Sequence, residues 1–169
     1  MSTILKERVK ELLKAREFIY AATSDFNHRP NAAPKFLLKI EENFIYLADH
    51  VIGTTYKNLK INSQVSLAVM DRNTLHGYQI NGAVELLTKG ATYDQMIKEV
   101  HRKEIGFTTE RLIEAVRTGK RHENFEVAFP EEVVIYKVKI KDIVEIGPRG
   151  QVSREQAEKI PAESCDESD

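Results

Sequence analysis

The sequence predicts a mainly β domain, an antiparallel barrel or sandwich with helices at its periphery. Apolar stretches typical of strands outnumber those typical of helices. Most of these stretches are joined by short polar turns, which favour antiparallel neighbours over the long crossovers of a parallel sheet. The length of 169 residues suits a single domain with a full hydrophobic core.

Apolar periodicity places the individual elements along the chain. A helix is predicted where apolar residues recur every three or four positions, and a strand where β-rich runs are bounded by turn residues. Ser2 or Thr3 is expected to cap the first helix, which should lie on the core. The predicted elements are a helix at 4–13, strands at 18–23, 33–40 and 44–48, a short helix at 54–59, strands at 65–70 and 78–87, helices at 92–106 and 112–119, and a strand at 132–146.

Glycines and a cap pattern refine the second half of the chain. Gly82, in the middle of a predicted strand, indicates a bulge or a close approach of another backbone. Thr92 and Gln95 match a capping box. Gly106 and Gly119 are expected to end the two helices that follow.

Composition and charge exclude several classes of protein. The hydrophobic fraction of 41% and the charged fraction of 30% are ordinary for a globular protein. A net charge of −1 gives no electrostatic reason for bulk nucleic-acid binding. No apolar run approaches the ~20 residues that cross a bilayer, and the amphipathic N-terminus does not resemble a signal peptide. We therefore expect a cytoplasmic protein that binds neither nucleic acid nor a membrane.

The C-terminal segment differs from the rest in composition. After Gly147 the sequence is polar, and it ends in an acidic stretch. We expect one domain over residues 1–148 and a flexible polar tail over 149–169. The single cysteine, Cys165, lies in this tail, so it can form neither an internal disulfide nor a cysteine-based metal site.

The stretch from Phe44 to Leu59, FIYLADHVIGTTYKNL, carries the strongest functional signal. It predicts a strand, a loop and the start of a short helix. The first N–H groups of a helix lack intrahelical partners and carry the positive end of its dipole, so they attract phosphate. Thr54 and Thr55 can add hydrogen bonds, and Lys57 adds a charge. The alternative is ordinary, because such threonines are usually only caps and such lysines are usually solvated.

Other motifs that carry chemistry are absent from the sequence. The five histidines lie far apart, and none are four residues from one another, so a metal site is not expected. No GxSxG, P-loop or GxGxxG motif occurs, which removes support for an α/β-hydrolase, a Walker NTPase or a Rossmann dehydrogenase. No residue can be assigned as a catalytic acid or base from the sequence.

Four segments in a fixed order resemble the FMN-binding split β-barrel proteins related to pyridoxamine 5′-phosphate oxidase. They read ATSDFNHRPNAAPKF, FIYLADH, TTYKNLKINSQVSLAV and GYQINGAVEL, and the closing VVIYKVKIKDIVEIGP is similar to the family's last strand. The resemblance covers residues 18–87 and 133–148 and leaves 88–130 as a variable helical insert. It implies a six-stranded antiparallel split β-barrel of Greek-key order, with an N-terminal helix and that insert.

The resemblance also implies a cofactor and the residues that contact it. It implies a homodimer with FMN at the subunit interface, the FMN phosphate at the turn from Thr54 to Asn58, and the strand at 33–36 beside the flavin ring, partly through backbone groups. Pro34 cannot donate an N–H, so Lys35 and Phe36 are the better candidates on that strand. The candidate cofactor-binding residues are Pro34, Lys35, Phe36, Ala48, Thr54, Thr55, Lys57, Asn58 and Gln79.

Two departures from the family pattern bear on activity. Oxidase members often have an Arg-Lys pair where this chain has Thr54-Thr55, so hydroxyls and backbone would hold the phosphate more than charge, with Lys57 restoring part of the attraction. True pyridoxine-phosphate oxidases use a C-terminal segment with tryptophan, arginine and histidine, whereas this chain has no tryptophan.

We therefore expect an FMN-dependent oxidoreductase that acts on another small molecule, with a nicotinamide or a second flavin as its electron partner. Two alternatives stay open. The first is a non-catalytic flavin-binding or electron-carrier module. The second is the same barrel with haem or the deazaflavin F420, and His101 and His122 are the candidate haem ligands.

Overall fold

Seven strands and three helices make up the part of the chain that the structure, a computed structural model, describes: residues 5–50, 52–119 and 132–156. In chain order they are α1 (Glu7–Lys14), β1 (Phe18–Ser24), β2 (Pro30–Ile40), β3 (Phe44–Asp49), α2 (Thr54–Ile61), β4 (Gln64–Asp71), β5 (His76–Leu87), α3 (Ala91–Thr118), β6 (Val134–Ile146) and β7 (Val152–Gln156).

Six of these strands close into an antiparallel barrel. The order in the sheet is β3-β2-β1-β4-β5-β6-β7, and β3 also pairs with the first half of β6, which closes the ring. Since β1, β2 and β3 follow one another as neighbours and β4 returns to lie beside β1, the order is a Greek key. The predicted fold, a mainly β split barrel of six strands with peripheral helices, is confirmed.

The barrel interior holds the main hydrophobic core. Successive strand residues point to opposite faces of a sheet, so every second residue points inward. Ile19, Leu67 and Ile80 point inward from β1, β4 and β5 and are fully buried. Val9 and Leu13 of α1 join this core, as the stripe of apolar residues in the N-terminal helix predicts.

A second core lies on the outer face of β2, β3 and β6, beneath the first half of α3. Phe36, Ala48 and Ile135 stand side by side in register on the three strands, and antiparallel partners share a face. Met96 and Val100 of α3 pack against them. The insert helix is therefore attached to the barrel by its first half.

One long helix replaces the two helices predicted for the insert. The predicted end at Gly106 is wrong, because α3 continues through it to Thr118. A glycine inside a helix costs only about 1 kcal/mol, which neighbouring helical residues can offset. The predicted end at Gly119 is confirmed: its φ is 68°, and its N–H donates to the carbonyl of Ala115.

The predicted caps are less accurate than the predicted elements. Thr92 and Gln95 do not form a capping box, because the N-cap of α3 is Gly90, two residues before Thr92, and no side chain caps the helix. Likewise, α1 begins at Glu7 after Lys6, without a side-chain cap, whereas Ser2 and Thr3 lie outside the described residues.

A seventh strand forms within the segment predicted to be a flexible tail. Residues 152–156 pair antiparallel with the second half of β6, with Ile146 opposite Val152 and Asp142 opposite Gln156. That edge of β6 is available because β3 pairs only with its first half. The strand is exposed and polar, so it lacks the apolar alternation by which a strand is predicted. Residues 157–169 lie outside the described part of the chain.

Gly82 marks a bulge in β5, as predicted. The register between β5 and β6 shifts between Asn81 and Gly82. A Cβ on Gly82 would lie 2.5 Å from the carbonyl oxygen of Lys139, closer than any side chain can approach. Only glycine therefore allows the two strands to meet here.

Candidate functional site

The N-terminus of α2 carries no side-chain cap. Gly53 is the N-cap residue, and no side chain hydrogen-bonds to the first turn. Thr54 and Lys57 follow on the helix, three residues apart, and both are exposed. Residues at this spacing are neighbours on a helix surface. The turn therefore combines backbone N–H groups, a hydroxyl and an ammonium group, a set of donors that suits an anion.

Thr55 and Asn58, the other two residues of the predicted phosphate turn, are buried against the barrel. Asn31 Nδ2 donates to Thr55 Oγ1 at 3.1 Å and to Thr23 Oγ1 at 3.3 Å. Asn58 Nδ2 donates to the same Thr23 oxygen at 3.2 Å. These bonds join α2 to β1 and β2, so both residues hold the turn in place. Their contact with a phosphate stays a prediction.

The predicted flavin strand separates its three candidate residues. Pro34 and Phe36 lie on the outer face of β2, whereas Lys35 points into the barrel. Its Nζ lies 2.7 Å from Asp49 Oδ2, which also accepts a hydrogen bond of 2.7 Å from the Tyr136 hydroxyl. The Lys35 and Asp49 side chains are only 8% and 7% exposed. Burial, reinforced by Asp49, raises the pKa of Tyr136 far above its ordinary value, so its hydroxyl stays a donor.

Two polar side chains that the sequence did not single out lie beside Phe36 on the outer face. Lys103 of α3 donates to the carbonyl of Leu37 at 2.8 Å, and its Nζ is 6.0 Å from the centre of the Phe36 ring. The His50 ring, at the end of β3, lies 6.3 Å from the same ring. Burial lowers the pKa of Lys103, and Arg102 lowers it further. The insert helix thus brings charge to the strand predicted to run beside the flavin.

Glu104 is buried between two histidines. Its Oε1 lies 3.5 Å from His50 Nε2, its Oε2 lies 3.7 Å from His101 Nδ1, and the side chain is 7% exposed. Burial raises the pKa of Glu104, whereas the two histidines lower it. Glu104 Oε1 and His50 Nδ1 are both buried, and neither has a hydrogen-bond partner within the described residues. The sequence does not predict this cluster, because Glu104 and His50 are far apart in sequence and come into contact only in the folded chain.

Ala48 and Gln79, the remaining two candidate residues, lie on β3 and β5, which are not neighbours in the sheet. Ala48 is opposite Phe36 and is buried beneath α3. Gln79 is on β5, opposite Ala68, and its Nε2 donates to Asn81 Oδ1 at 3.0 Å. β5 and β2 are three strands apart in either direction around the ring. A single chain therefore does not bring Gln79 together with Phe36.

An apolar surface is uncovered on the outer face of β1 and β4. Phe18, Tyr20 and Met70 are 52%, 64% and 51% exposed. Tyr20 pairs in register with Pro34 on one side and with Ala68 on the other, which makes the surface continuous across three strands. Exposed apolar patches of this kind mark contact surfaces.

A sequence profile of the pyridoxamine 5′-phosphate oxidase family matches residues 5–131, well over half of the chain. The chain belongs to this family. The resemblance seen in the four sequence segments is therefore confirmed. No curated protein matches the chain in sequence.

Several solved structures have the same fold. HupZ of Group A Streptococcus is 19% identical with a TM-score of 0.63, over 85% of this chain and 95% of that one. A pyridoxamine 5′-phosphate oxidase-related, FMN-binding protein of Nostoc punctiforme is 12% identical with a TM-score of 0.59, over 94% and 100%. An F420 reductase is 17% identical with a TM-score of 0.54, over 82% and 98%. At such identities the likeness shows the fold.

Two further findings bear on the sequence predictions. None of the helices within residues 5–50, 52–119 and 132–156 has both the length and the apolar character that crossing a bilayer requires. In the same ranges, no group of three or more histidine, cysteine or acidic side chains is placed to hold a metal ion. Of the two candidate haem ligands, His101 is largely exposed on α3, and His122 lies outside the described residues.

Proposed function

We propose that this member of the family is an FMN-binding oxidoreductase that acts on a small organic molecule. The observation that carries the proposal is the uncapped N-terminus of α2, with Thr54 and Lys57 exposed beside it. Backbone N–H groups, the Thr54 hydroxyl and the Lys57 ammonium would hold the FMN phosphate. When bound, FMN supplies hydride or electron transfer.

The residues around the turn fit such a ligand. Gly53 has no side chain to compete with a phosphate for the first N–H groups of α2. Thr55 and Asn58 fix the turn through Asn31 and Thr23, so the donors need no rearrangement before binding. On the outer face of β2, exposed Pro34 offers apolar surface, with backbone beside it, for a flavin ring.

We infer that the cofactor lies between the two subunits of a homodimer. Phe36 and Gln79 are both candidate flavin contacts, yet they lie on opposite sides of one barrel. They can reach the same flavin only if one subunit supplies Phe36 and the other supplies Gln79. The uncovered apolar surface around Tyr20 lies between the two strands and would be buried in such a dimer.

The deazaflavin F420 is a second candidate cofactor, favoured by the F420 reductase among the structures of the same fold. FMN is preferred because the Nostoc punctiforme neighbour is an FMN-binding protein and because the α2 turn suits a terminal phosphate. A true pyridoxamine-phosphate oxidase is not proposed, since the chain has no tryptophan for the C-terminal substrate segment of those enzymes.

The decisive experiment identifies the cofactor before it seeks a substrate. We expect purified protein to show flavin absorption, or to quench the fluorescence of added FMN and gain thermal stability. Mass spectrometry of the released ligand separates FMN from F420 and haem. A colourless protein that neither quenches FMN nor responds to it thermally overturns the proposal.

Turnover separates an enzyme from a flavin carrier. We expect NADH or NADPH to bleach the bound flavin in stopped-flow mixing, and an added acceptor to re-oxidise it. A flavin that binds but is never reduced by either nicotinamide, nor by a reduced flavin, would instead support the carrier module.

A further inference from the structure

We infer that Glu104 and His50 bind the pyrimidine edge of the flavin ring, where an N–H donor stands between two carbonyl oxygens. This inference rests on the proposed flavin site and adds two residues to it. Neither residue is among the contacts that the sequence predicts.

The first argument is that one buried atom of each side chain lacks a hydrogen-bond partner, although Glu104 also lies in ion-pair range of His50 and His101. Glu104 Oε1 and His50 Nδ1 are buried, yet neither has a hydrogen-bond partner within residues 5–50, 52–119 and 132–156. Leaving such a group unsatisfied costs about 1–3 kcal/mol, and native proteins satisfy most of them. The two side chains approach each other to 3.5 Å, so one ligand that carries both a donor and an acceptor would satisfy both atoms.

The second argument is chemical complementarity. Glu104 offers a carboxylate oxygen, which only accepts hydrogen bonds, and the ring nitrogen Nδ1 of His50 donates a hydrogen bond when it carries the ring proton. The other ring nitrogen, Nε2, lies 3.5 Å from Glu104 Oε1. A ligand that satisfies both atoms must have a donor next to an acceptor. The N3–H of a flavin and its neighbouring carbonyl oxygen form such a pair. Haem has no such edge, whereas FMN and F420 share it.

The third argument is position. His50 precedes Gly53, the N-cap of the proposed phosphate turn, by three residues, which span at most ~11 Å of extended chain. Its ring also lies 6.3 Å from the ring of Phe36 on the predicted flavin strand. A flavin with its phosphate at Thr54 would thus have its ring in the neighbourhood of His50 and Glu104.

Two variants and a modified flavin test the inference. Glu104→Met removes the acceptor, and His50→Phe removes the donor and keeps a ring. Each should weaken FMN binding about tenfold or more in fluorescence titrations, as expected for a lost hydrogen bond to a charged group. Glu104→Gln keeps an acceptor oxygen and should lose less. Glu110→Met, an exposed position on the same helix, is the matched control and should bind FMN like the unaltered protein.

FMN methylated at N3 gives a test that does not depend on how the variants fold. It should bind the unaltered protein about tenfold more weakly than FMN does, and the difference should vanish in Glu104→Met. If FMN binds normally to both variants and methylation has no effect, the inference is overturned and the flavin site stands. If FMN does not bind the unaltered protein at all, the proposed function itself has failed.

Discussion

Single residues of the α2 turn divide into those that face solvent and those that hold the turn. Lys57 is exposed, whereas Thr55 and Asn58 are buried in hydrogen bonds to β1 and β2. The sequence identifies all three because they follow a strand within a few residues. It cannot separate their roles, since the inward direction of Thr55 depends on Asn31, which is 24 positions away.

Lys57→Ala should weaken FMN binding by about 1–3 kcal/mol without changing the stability of the protein, because the ammonium is exposed and contributes only to the ligand. Fluorescence titration gives the affinity, and thermal melting without FMN gives the stability. Lys60→Ala is the matched control, since Lys60 is equally exposed in the last turn of the same helix. If Lys57→Ala and Lys60→Ala weakened FMN binding equally, Lys57 would not contact the phosphate specifically.

The buried Lys35–Asp49 pair should matter far more for stability than a similar pair at the surface. Lys35→Met leaves the Asp49 carboxylate buried without the ammonium beside it, which should cost about 3–5 kcal/mol. The measurement is the free energy of unfolding from denaturant titration. The Lys39–Glu41 pair provides the control. Its Nζ–Oε1 distance is also 2.7 Å, but the side chains of Lys39 and Glu41 are both more than a third exposed.

Lys39→Met should cost at most about 1 kcal/mol, the usual range for an exposed pair. If the two substitutions lowered the free energy of unfolding by the same small amount, the buried Lys35–Asp49 pair would contribute no more to stability than the exposed pair does. A loss of about 3–5 kcal/mol for Lys35→Met would show that the Lys35 side chain stabilises the barrel through Asp49.

Helices and strands were predictable where the apolar periodicity is strong. They were less predictable where tertiary contacts determine where an element forms or ends. The barrel strands follow apolar runs, and the bulge at Gly82 follows from the glycine itself. α3 runs through Gly106 because helical residues on both sides outweigh one weak position. β7 forms on a free edge of β6, so its pairing depends on where β3 ends. The pairing of β7 is therefore not encoded near its own residues, whereas the continuation of α3 depends on the sequence neighbours of Gly106.

The two halves of α3 should differ in their contribution to stability. Met96 and Val100 are buried on the barrel, whereas Val116 in the second half is 83% exposed. Met96→Ala should lower the free energy of unfolding by about 2–5 kcal/mol, the cost of emptying a packed site. Val116→Ala, the matched control, should stay within about 0.5 kcal/mol. Denaturant titrations measure both, and a large loss for Val116→Ala would place its side chain in an interface.

On the scale of the whole molecule, only part of the candidate site can be predicted from the sequence. Thr54 and Lys57 belong to one short segment, so local chemistry identifies them. Glu104 and His50 are brought together because α3 crosses β2 and β3, and nothing local to either residue predicts that meeting. The proposed contact of Phe36 and Gln79 with one ligand would need two subunits, and neither the sequence pattern nor a single chain contains that arrangement.

Tyr20→Glu should convert the proposed homodimer into a monomer. Tyr20 lies at the centre of the uncovered apolar surface, between Pro34 and Ala68, and a charge buried there would have no partner. Because it is 64% exposed in the single chain, the substitution should leave folding intact. Val152→Glu, at an equally exposed apolar residue on β7, is the control and should stay dimeric. Sedimentation velocity measures the state of each variant.

The same variant links assembly to the cofactor. If the flavin lies between subunits, Tyr20→Glu should weaken FMN binding in step with dissociation, and raising the protein concentration should restore part of both, because a dimer forms by mass action. Weaker FMN binding by Val152→Glu would argue against this link, as would a Tyr20→Glu monomer that binds FMN with full affinity. In the latter case Gln79 is not a cofactor contact, since one chain keeps it three strands away from Phe36.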